Sequence, residues 1–431
     1  MKFGLFYEHQ IPRPWHELSE YDQYQQALQQ IELADQLGYD YAWQVEHHFL
    51  EEYSHASAPG HFLSAASQRT EQIRLGHGVF QLPTNHPIRV AEQIATLDLL
   101  SGGRCEFGTG EGAGPTELHP FKARVRSKRN MWEEAIRAIV PCFTDDSVAF
   151  DGEFWDWTAR NILPKPYQKP GPPIWVACSN YNTIEMAARR GIGALGFNFA
   201  TPDGARAWVN RYYNLFVHEQ ERLAAYKPNP NIAMVAGFMC APTDEEARAK
   251  ADGWTFFIFC LEYNGKNTYE PGTVDLWAEY QDWKQGSKAD AAMENGLVGS
   301  PETLRKKLRE YAATHVDQMI LLNQAGMNTH EDILSSLRLF AEEVMPEFHE
   351  MEPAHQQWKQ DVISGAIELE DFSTKEHMLP GVAVANPDMV KSRKAAPVDG
   401  PGHTHIEKPG SENDAGDFAL STAATAENAA G

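Results

Sequence analysis

"IRLGHGVFQLPTNHPIRVAEQIATLDLLSGGRCEFGTG" occupies residues 73–110, and its reading decides the fold. The apolar run 73–82 reads as a strand, "RVAEQIATLDLL" as a helix, and "CEFGTG" (105–110) as the next strand. Strand, helix, strand in this order implies two parallel strands joined by a right-handed crossover. Working outward, the same alternation recurs. "KFGLFY" (2–7) and "YAWQV" (41–45) are strands that precede the quoted stretch. Between them Tyr24, Leu28, Ile31 and Leu37 fall at helical spacing, and Gly38 suits the helix C-cap. After it come a helix in "RNMWEEAIRAIV" and strands in "PIWVACS" (173–179), "GALGFN" (193–198), "IAMVAGFMC" (232–240) and "DQMILLN" (317–323). Helical stretches separate them, and "EDILSSLRLFAEEVM" closes the set. Eight strands alternating with helices predict an α/β fold, a (β/α)8 TIM barrel. The competing open, doubly wound sheet wants a G-x-G-x-x-G after the first strand, and none is there.

Two segments interrupt the alternation. Residues 148–173 are aromatic and Pro-rich, with Asp151-Gly152 as a turn signal, and predict a β-hairpin inserted before the fifth strand. Residues 261–295 form a long excursion before the last βα unit, where Trp277, Tyr280 and Trp283 are candidate lid residues, local packing being the other reading. The barrel domain is expected over 1–352. The extension 353–431 is small, polar and rich in Pro, Gly and Ala, and is expected to be largely disordered.

A formal net charge of -23 over 431 residues argues against nucleic acid and anionic membrane as partners. No apolar stretch is long enough to span a bilayer, and the N-terminus does not read as a signal peptide. Five scattered cysteines without a C-x-x-C pair suggest reduced thiols in a cytoplasmic protein.

In a TIM barrel the chemistry collects where strands end. Strand two ends in Glu46-His47-His48, strand three carries His77-Gly78-Val79, strand four ends near Thr109-Gly110-Glu111, and strand five ends at Ser179-Asn180 ahead of a helix near Thr183. The Ser/Asn/Thr group at that helix start suits an anion, though an ordinary N-cap has the same composition. Adjacent histidines diverge and H-E-x-x-H spacing is absent, so no metal site is expected. Acid/base work by one histidine and two hydrogen-bonded loop histidines both fit. The basic run 122–129 reads as a solvated helix entry.

"WQVEHHF" (43–49), residues 76–110 of the opening stretch, "PIWVACSNYNTIEMAARRG" (173–191), "VGSPETLRKKL" (298–308) and "LRLFAEEVMPEF" (337–348) occur in order. Together the sequence resembles the bacterial luciferase-like flavin monooxygenase family over about residues 1–350. The resemblance implies a TIM barrel with an insertion before its last unit. It also implies reduced FMN as cofactor, or a reduced deazaflavin as in some members. O2 then adds to the flavin to give a C4a-peroxyflavin, which transfers one oxygen atom to a small organic substrate. The reduced flavin comes from a separate flavin reductase, and a homodimer is expected. A deazaflavin-dependent hydride transfer and a non-catalytic flavin-binding role are the alternatives. By resemblance, His47 is the acid/base or hydrogen-bonding residue near the flavin, with His48 supporting it. Gly78-Val79 is a strand bulge with a non-proline cis peptide behind the flavin ring. Glu92 is a carboxylate near the ring system, and Ser179 and Thr183 lie at the phosphate. The sequence departs from the luciferase catalytic subunits at Gly110 and at Glu111, where they have a cysteine and a phosphate-binding arginine. Light emission is therefore not implied, and Arg124, Arg126 or Arg129 is left to supply the positive charge.

Overall fold

Lys2–Tyr7 (β1), Tyr41–Gln44 (β2), Arg74–His77 (β3), Cys105–Gly110 (β4), Ile174–Cys178 (β5), Gly193–Gly196 (β6), Ile232–Cys240 (β7) and Gln318–Gln324 (β8) are the main strands of the computed structural model, which describes residues 1–197 and 199–370. Each pairs in parallel with the next, and β8 returns to pair with β1, so the eight close into a barrel. Around it lie Ser19–Leu37 (α1), Pro59–Ser67 (α2), Pro87–Leu100 (α3), Lys128–Cys142 (α4), Tyr181–Arg190 (α5), Pro202–His218 (α6), Asp252–Lys266 (α7), Pro301–Ala312 (α8), His330–Glu343 (α9) and Glu352–Ile363 (α10).

The strands are apolar on both faces because both faces are covered. Phe3, Leu5 and Tyr7 of β1 join a core with Leu28 and Ile31 of α1, Phe62 of α2 and Phe340 of α9. The alternate residues Phe6, Trp43, Trp175, Leu195, Val235 and Ile320 fill the barrel interior. Trp43 and Trp175 meet edge to face at 5.4 Å. Glycine makes room for them: a Cβ on Gly76 would stand 2.3 Å from the Trp43 ring.

The third strand differs from its reading as one run over 73–82. It stops at His77, turns at Gly78-Val79 and resumes as Phe80–Gln81, paired with Thr109 and Gly110 of β4. The turn crowds β4 so closely that a Cβ on Gly108 would lie 1.7 Å from the His77 carbonyl oxygen. The expected hairpin is present as Val148–Asp151 against Asp156–Arg160, antiparallel. The excursion is mostly helical, with Leu276–Trp283 and Ser287–Asn295 leading to a short strand, Leu297–Gly299, on the edge of β7.

The chain stays ordered past residue 352. Helix α10 buries His355, Lys359 and Val362. Its polar groups converge on the buried Asp317, with His355 Nε2 at 2.7 Å and Lys359 Nζ at 2.5 Å, while the Tyr213 hydroxyl donates to the same carboxylate at 2.7 Å. The remainder of the extension, 371–431, and the expected end of strand six at Asn198 lie outside the described residues. Among the described residues no helix is long and apolar enough to cross a membrane.

Candidate active site

Past the end of β2 the chain turns, and the His47 amide donates to the Ala56 carbonyl at 2.9 Å. This holds the imidazole between two carboxylates. Nδ1 lies 2.9 Å from Glu117 Oε1, and Nε2 lies 3.7 Å from Glu8 Oε2. Glu117 sits on the short helix Pro115–Leu118 in the loop after β4. It also accepts hydrogen bonds from the His48 amide and from Gln81 Nε2, both at 3.0 Å. Burial alone would raise its pKa, but His47 and these donors outweigh burial and hold it below the usual carboxylate value. Glu8 follows β1 directly and is fully buried. Its Oε1 accepts from the Tyr53 hydroxyl at 3.1 Å, and its backbone carbonyl accepts from the Ser54 hydroxyl at 2.7 Å. Burial pushes Glu8 up to about 7 against the pull of His47. For His47 itself burial works downward, yet Glu117 and Glu8 together carry it up to about 9.

His48 has its own carboxylate, Glu46, at 3.1 Å from Nε2, and its ring meets Phe121 edge-on. Glu46 further accepts from the Gln81 amide and from Asn85 Nδ2, each at 2.8 Å. Of the two readings open for the pair, His48 takes the hydrogen-bonded loop role. His47, with a side chain 19% exposed, has one nitrogen anchored and the other facing a carboxylate without a hydrogen bond. Among the described residues no group of three or more His, Cys, Asp or Glu side chains is arranged to hold a metal ion.

Gln81 ties this cluster to the Gly78-Val79 turn, whose Gly78 amide donates to the Gln44 carbonyl at 2.7 Å. The Gly78–Val79 peptide is cis, as the resemblance implies. A Cβ on Gly78 would stand 3.3 Å from Trp43 Cβ and 3.4 Å from the Phe6 ring, so the glycine faces the barrel mouth above these side chains. Across the mouth, rings run from His47 to Tyr53 (5.4 Å), to Phe257 (5.5 Å), to Phe197 (6.1 Å) and to Phe6 (5.3 Å).

At the end of β5, Ser179 precedes α5, and Asn180 and Thr183 form a reciprocal capping box. The Thr183 hydroxyl donates to the Asn180 carbonyl at 2.7 Å and accepts from the Asn180 amide at 3.2 Å. That hydroxyl therefore serves the turn, the ordinary N-cap arrangement, while the Ser179 hydroxyl accepts a long hydrogen bond, 3.5 Å, from Asn180 Nδ2. Beside them Arg129 is ion-paired with Glu111, and both act on the Cys178 thiol at the end of β5. Of the three arginines considered from sequence, Arg129 thus stands at the strand ends. Arg124 instead pairs with Glu153 of the hairpin region at 3.5 Å. Glu92 is not brought to the mouth. It lies on α3 paired with Arg89 one turn away, at 2.5 Å, with its side chain 30% exposed.

The candidate lid residues pack locally. Tyr280 is buried against Phe256 and Phe259 of α7, with Trp277 and Trp283 beside it. The excursion is tied to the loop after β2 by Glu52, which accepts from the amides of Leu276 (2.6 Å) and Trp277 (3.0 Å). Sequence reasoning missed Glu8 and Glu117. The strand-end rule reaches Glu8, the residue after β1, once strand one is read like the others. Nothing in the local sequence marks Glu117, whose role comes from a loop that folds back over β2.

The sequence model of the family described as luciferase-like monooxygenase matches residues 1–318. The oxygenase component of the flavin-dependent trigonelline monooxygenase of Acinetobacter baylyi is 25% identical over 360 residues, covering 81% of this chain and 96% of that protein. Monooxygenase RslO1 from Streptomyces bottropensis superposes with a TM-score of 0.65 at 26% identity, over 81% of this chain and all of that one. The oxygenating constituent of 3,6-diketocamphane monooxygenase from Pseudomonas putida, solved with FMN, shares the fold at TM-score 0.62 and 20% identity, over 80% and 98% of the two chains.

Proposed function

Because the chain belongs to the luciferase-like monooxygenase family, we propose that it is the oxygenase of a two-component system. It would take reduced FMN from a separate reductase and use O2 to oxygenate a small organic substrate. The relative named as an oxygenase component supports the division of labour, and the neighbour solved with FMN supports the flavin. The observation that supports the reading is a cis Gly78–Val79 turn tied through Gln81 to a histidine clamped by carboxylates, with a serine at a helix start and an arginine at other strand ends of the same barrel. These residues fit the cofactor. Gly78 and Val79 would back the ring, and Ser179, the N-terminus of α5 and Arg129 would hold the phosphate, where the helix dipole favours an anion. Arg129 would have to share its charge between Glu111 and the phosphate.

When bound, reduced FMN supplies the electrons that let O2 deliver one oxygen atom. The chain's own part is to exclude water and handle protons. The ring series Tyr53, Phe257, Phe197 and Phe6 gives the mouth an apolar wall, which favours an uncharged, apolar substrate and keeps a reactive centre dry. His47 holds a proton at neutral pH and can give it at Nε2, with Nδ1 fixed by Glu117.

The test is turnover. The protein is mixed anaerobically with reduced FMN and candidate substrates, then with O2, and products are read by mass. A product heavier by one oxygen, absent without O2, is the expected result. Turnover with reduced deazaflavin and no O2 uptake would replace the reading with hydride transfer. Flavin binding without any turnover across the substrates would favour the non-catalytic role.

A further inference from the structure

We propose that Glu8 and the Nε2 nitrogen of His47 share one exchangeable proton, Glu117 serving only to hold the opposite side of the ring. The use of that proton in turnover rests on the monooxygenase reading, whereas the sharing itself does not.

The two carboxylates that flank His47 are built differently. Glu117 receives three N–H donors, from His47, His48 and Gln81. A carboxylate so supplied is locked as an acceptor, so His47 Nδ1 carries a hydrogen and Nε2 is the nitrogen that changes state. Among the described residues Glu8 Oε1 accepts from the Tyr53 hydroxyl, and the Ser54 hydroxyl, which donates to the Glu8 backbone carbonyl, adds a smaller pull toward the ionised form. Its Oε2 is buried with no hydrogen-bond partner among the described residues, and the nitrogen facing it is His47 Nε2 at 3.7 Å. That separation is just beyond a hydrogen bond. A buried carboxylate oxygen left bare is costly, and the cost is relieved by a proton on the oxygen or on the nitrogen that faces it.

No other cation competes for this role. Among the described residues no lysine or arginine forms an ion pair with Glu8 or Glu117. The groups facing His47 are Glu117 from the loop after β4, Glu8 from the end of β1, Glu46 on its own segment, and the Tyr53 ring. Those facing Glu8 are His47, Tyr53, Ser54 and, at longer range, Glu117. In the exchange the Nε2–H bond of imidazolium breaks as the O–H bond at Oε2 forms. Charge separation gives way to a neutral pair, and no electrons are transferred. Glu8 acts through His47 and is a positioning residue.

The experiment is an NMR titration of 15N-histidine-labelled full-length protein without cofactor, with the His47 signal assigned by its loss in His47→Ala. Wild type is compared with Glu8→Gln and Glu8→Asp. Removing the carboxylate charge should lower the His47 midpoint by at least about one pH unit, a tenfold change in acidity, while Glu8→Asp should keep most of the elevation. The alkaline limb of the kcat/KM profile should move by the same amount. An unchanged midpoint in Glu8→Gln overturns the proposal. If Glu8→Gln does not fold, Tyr53→Phe decides together with Glu8→Asp. Losing the hydroxyl that steadies ionised Glu8 should lower the His47 midpoint while Glu8→Asp keeps it, and an unmoved midpoint in Tyr53→Phe overturns the proposal. Because these midpoints are read without flavin or substrate, a failed oxygenation assay leaves them standing.

Discussion

His47 is steadied by one carboxylate and faced by a second whose Oε2 has no hydrogen-bond partner among the described residues. Both raise its proton affinity, so the imidazolium persists through neutral pH and is lost as the pH rises through about 9. A donor in that state predicts that kcat/KM falls on the alkaline side near pH 9, as a pH profile would show. His47→Ala should cost about 10²–10⁴ in turnover, the range for loss of a positioned proton donor. FMN should still bind, while the thermal midpoint should fall, because the buried Glu8 and Glu117 lose the cation that faces them both. Normal turnover in that variant would remove His47 from the chemistry. Gly78 is tested by Gly78→Val. A first carbon would stand 3.3–3.4 Å from Trp43 and Phe6, close enough that both must shift by a few tenths of an ångström, and the branches beyond it should disturb the turn further and weaken binding of FMN, as a fluorescence titration would measure. At this scale what was legible is position: His47, Gly78 and Ser179 stand at strand ends as their motifs imply, and the Gly78–Val79 peptide is cis. It was not legible for Glu117, because the proximity to His47 is created by a loop crossing from β4 to β2. Nor was it for Thr183 and Glu92, because which way a hydroxyl or a carboxylate points depends on neighbours that a motif does not list.

Among the elements, α10 shows how a helix outside the barrel's alternating plan can still belong to the fold. Its spacing places His355, Lys359 and Val362 on one buried face, four and three residues apart. Asp317 at the start of β8 is the receiving group. Lys359 and His355 outweigh its burial and hold it down at about 2. Its folded value lies below its unfolded one, so its contribution to stability is full above about pH 4 and is lost as the pH falls toward 2. Lys359→Met leaves the buried carboxylate with one counter-charge fewer and should destabilise the protein by about 3–5 kcal/mol at neutral pH. Denaturant melts at pH 7 and pH 3 should show the gap between variant and wild type narrowing in acid. A constant gap would mean that packing of the lysine stem, not charge, is what is lost. Boundaries drawn from composition missed this helix because its polar face carries "EPAHQQWKQD", a text that looks solvated until a buried aspartate meets it.

For the whole molecule, the fold was readable because it repeats. Each βα unit spells out a short apolar run and an amphipathic one, and eight such units leave little choice but closure. What a single sequence does not spell out is where the repeat stops. The structure carries the ordered chain through α10 to Glu370, with Leu369 packed against the core and the Glu370 carbonyl accepting from Asn210. Residues 371–431 consist mostly of Ala, Gly, Pro, Ser and acidic side chains. A chain ended after Glu370 should therefore keep its thermal midpoint within a few degrees and bind FMN as the full chain does. A chain ended at 352 should not, because it strips Asp317 of both His355 and Lys359 and uncovers the surface beneath Val362. Calorimetry and flavin titration on the two truncations separate these outcomes. A large loss in the longer one would show that the acidic tail, and not only α10, helps to hold the barrel.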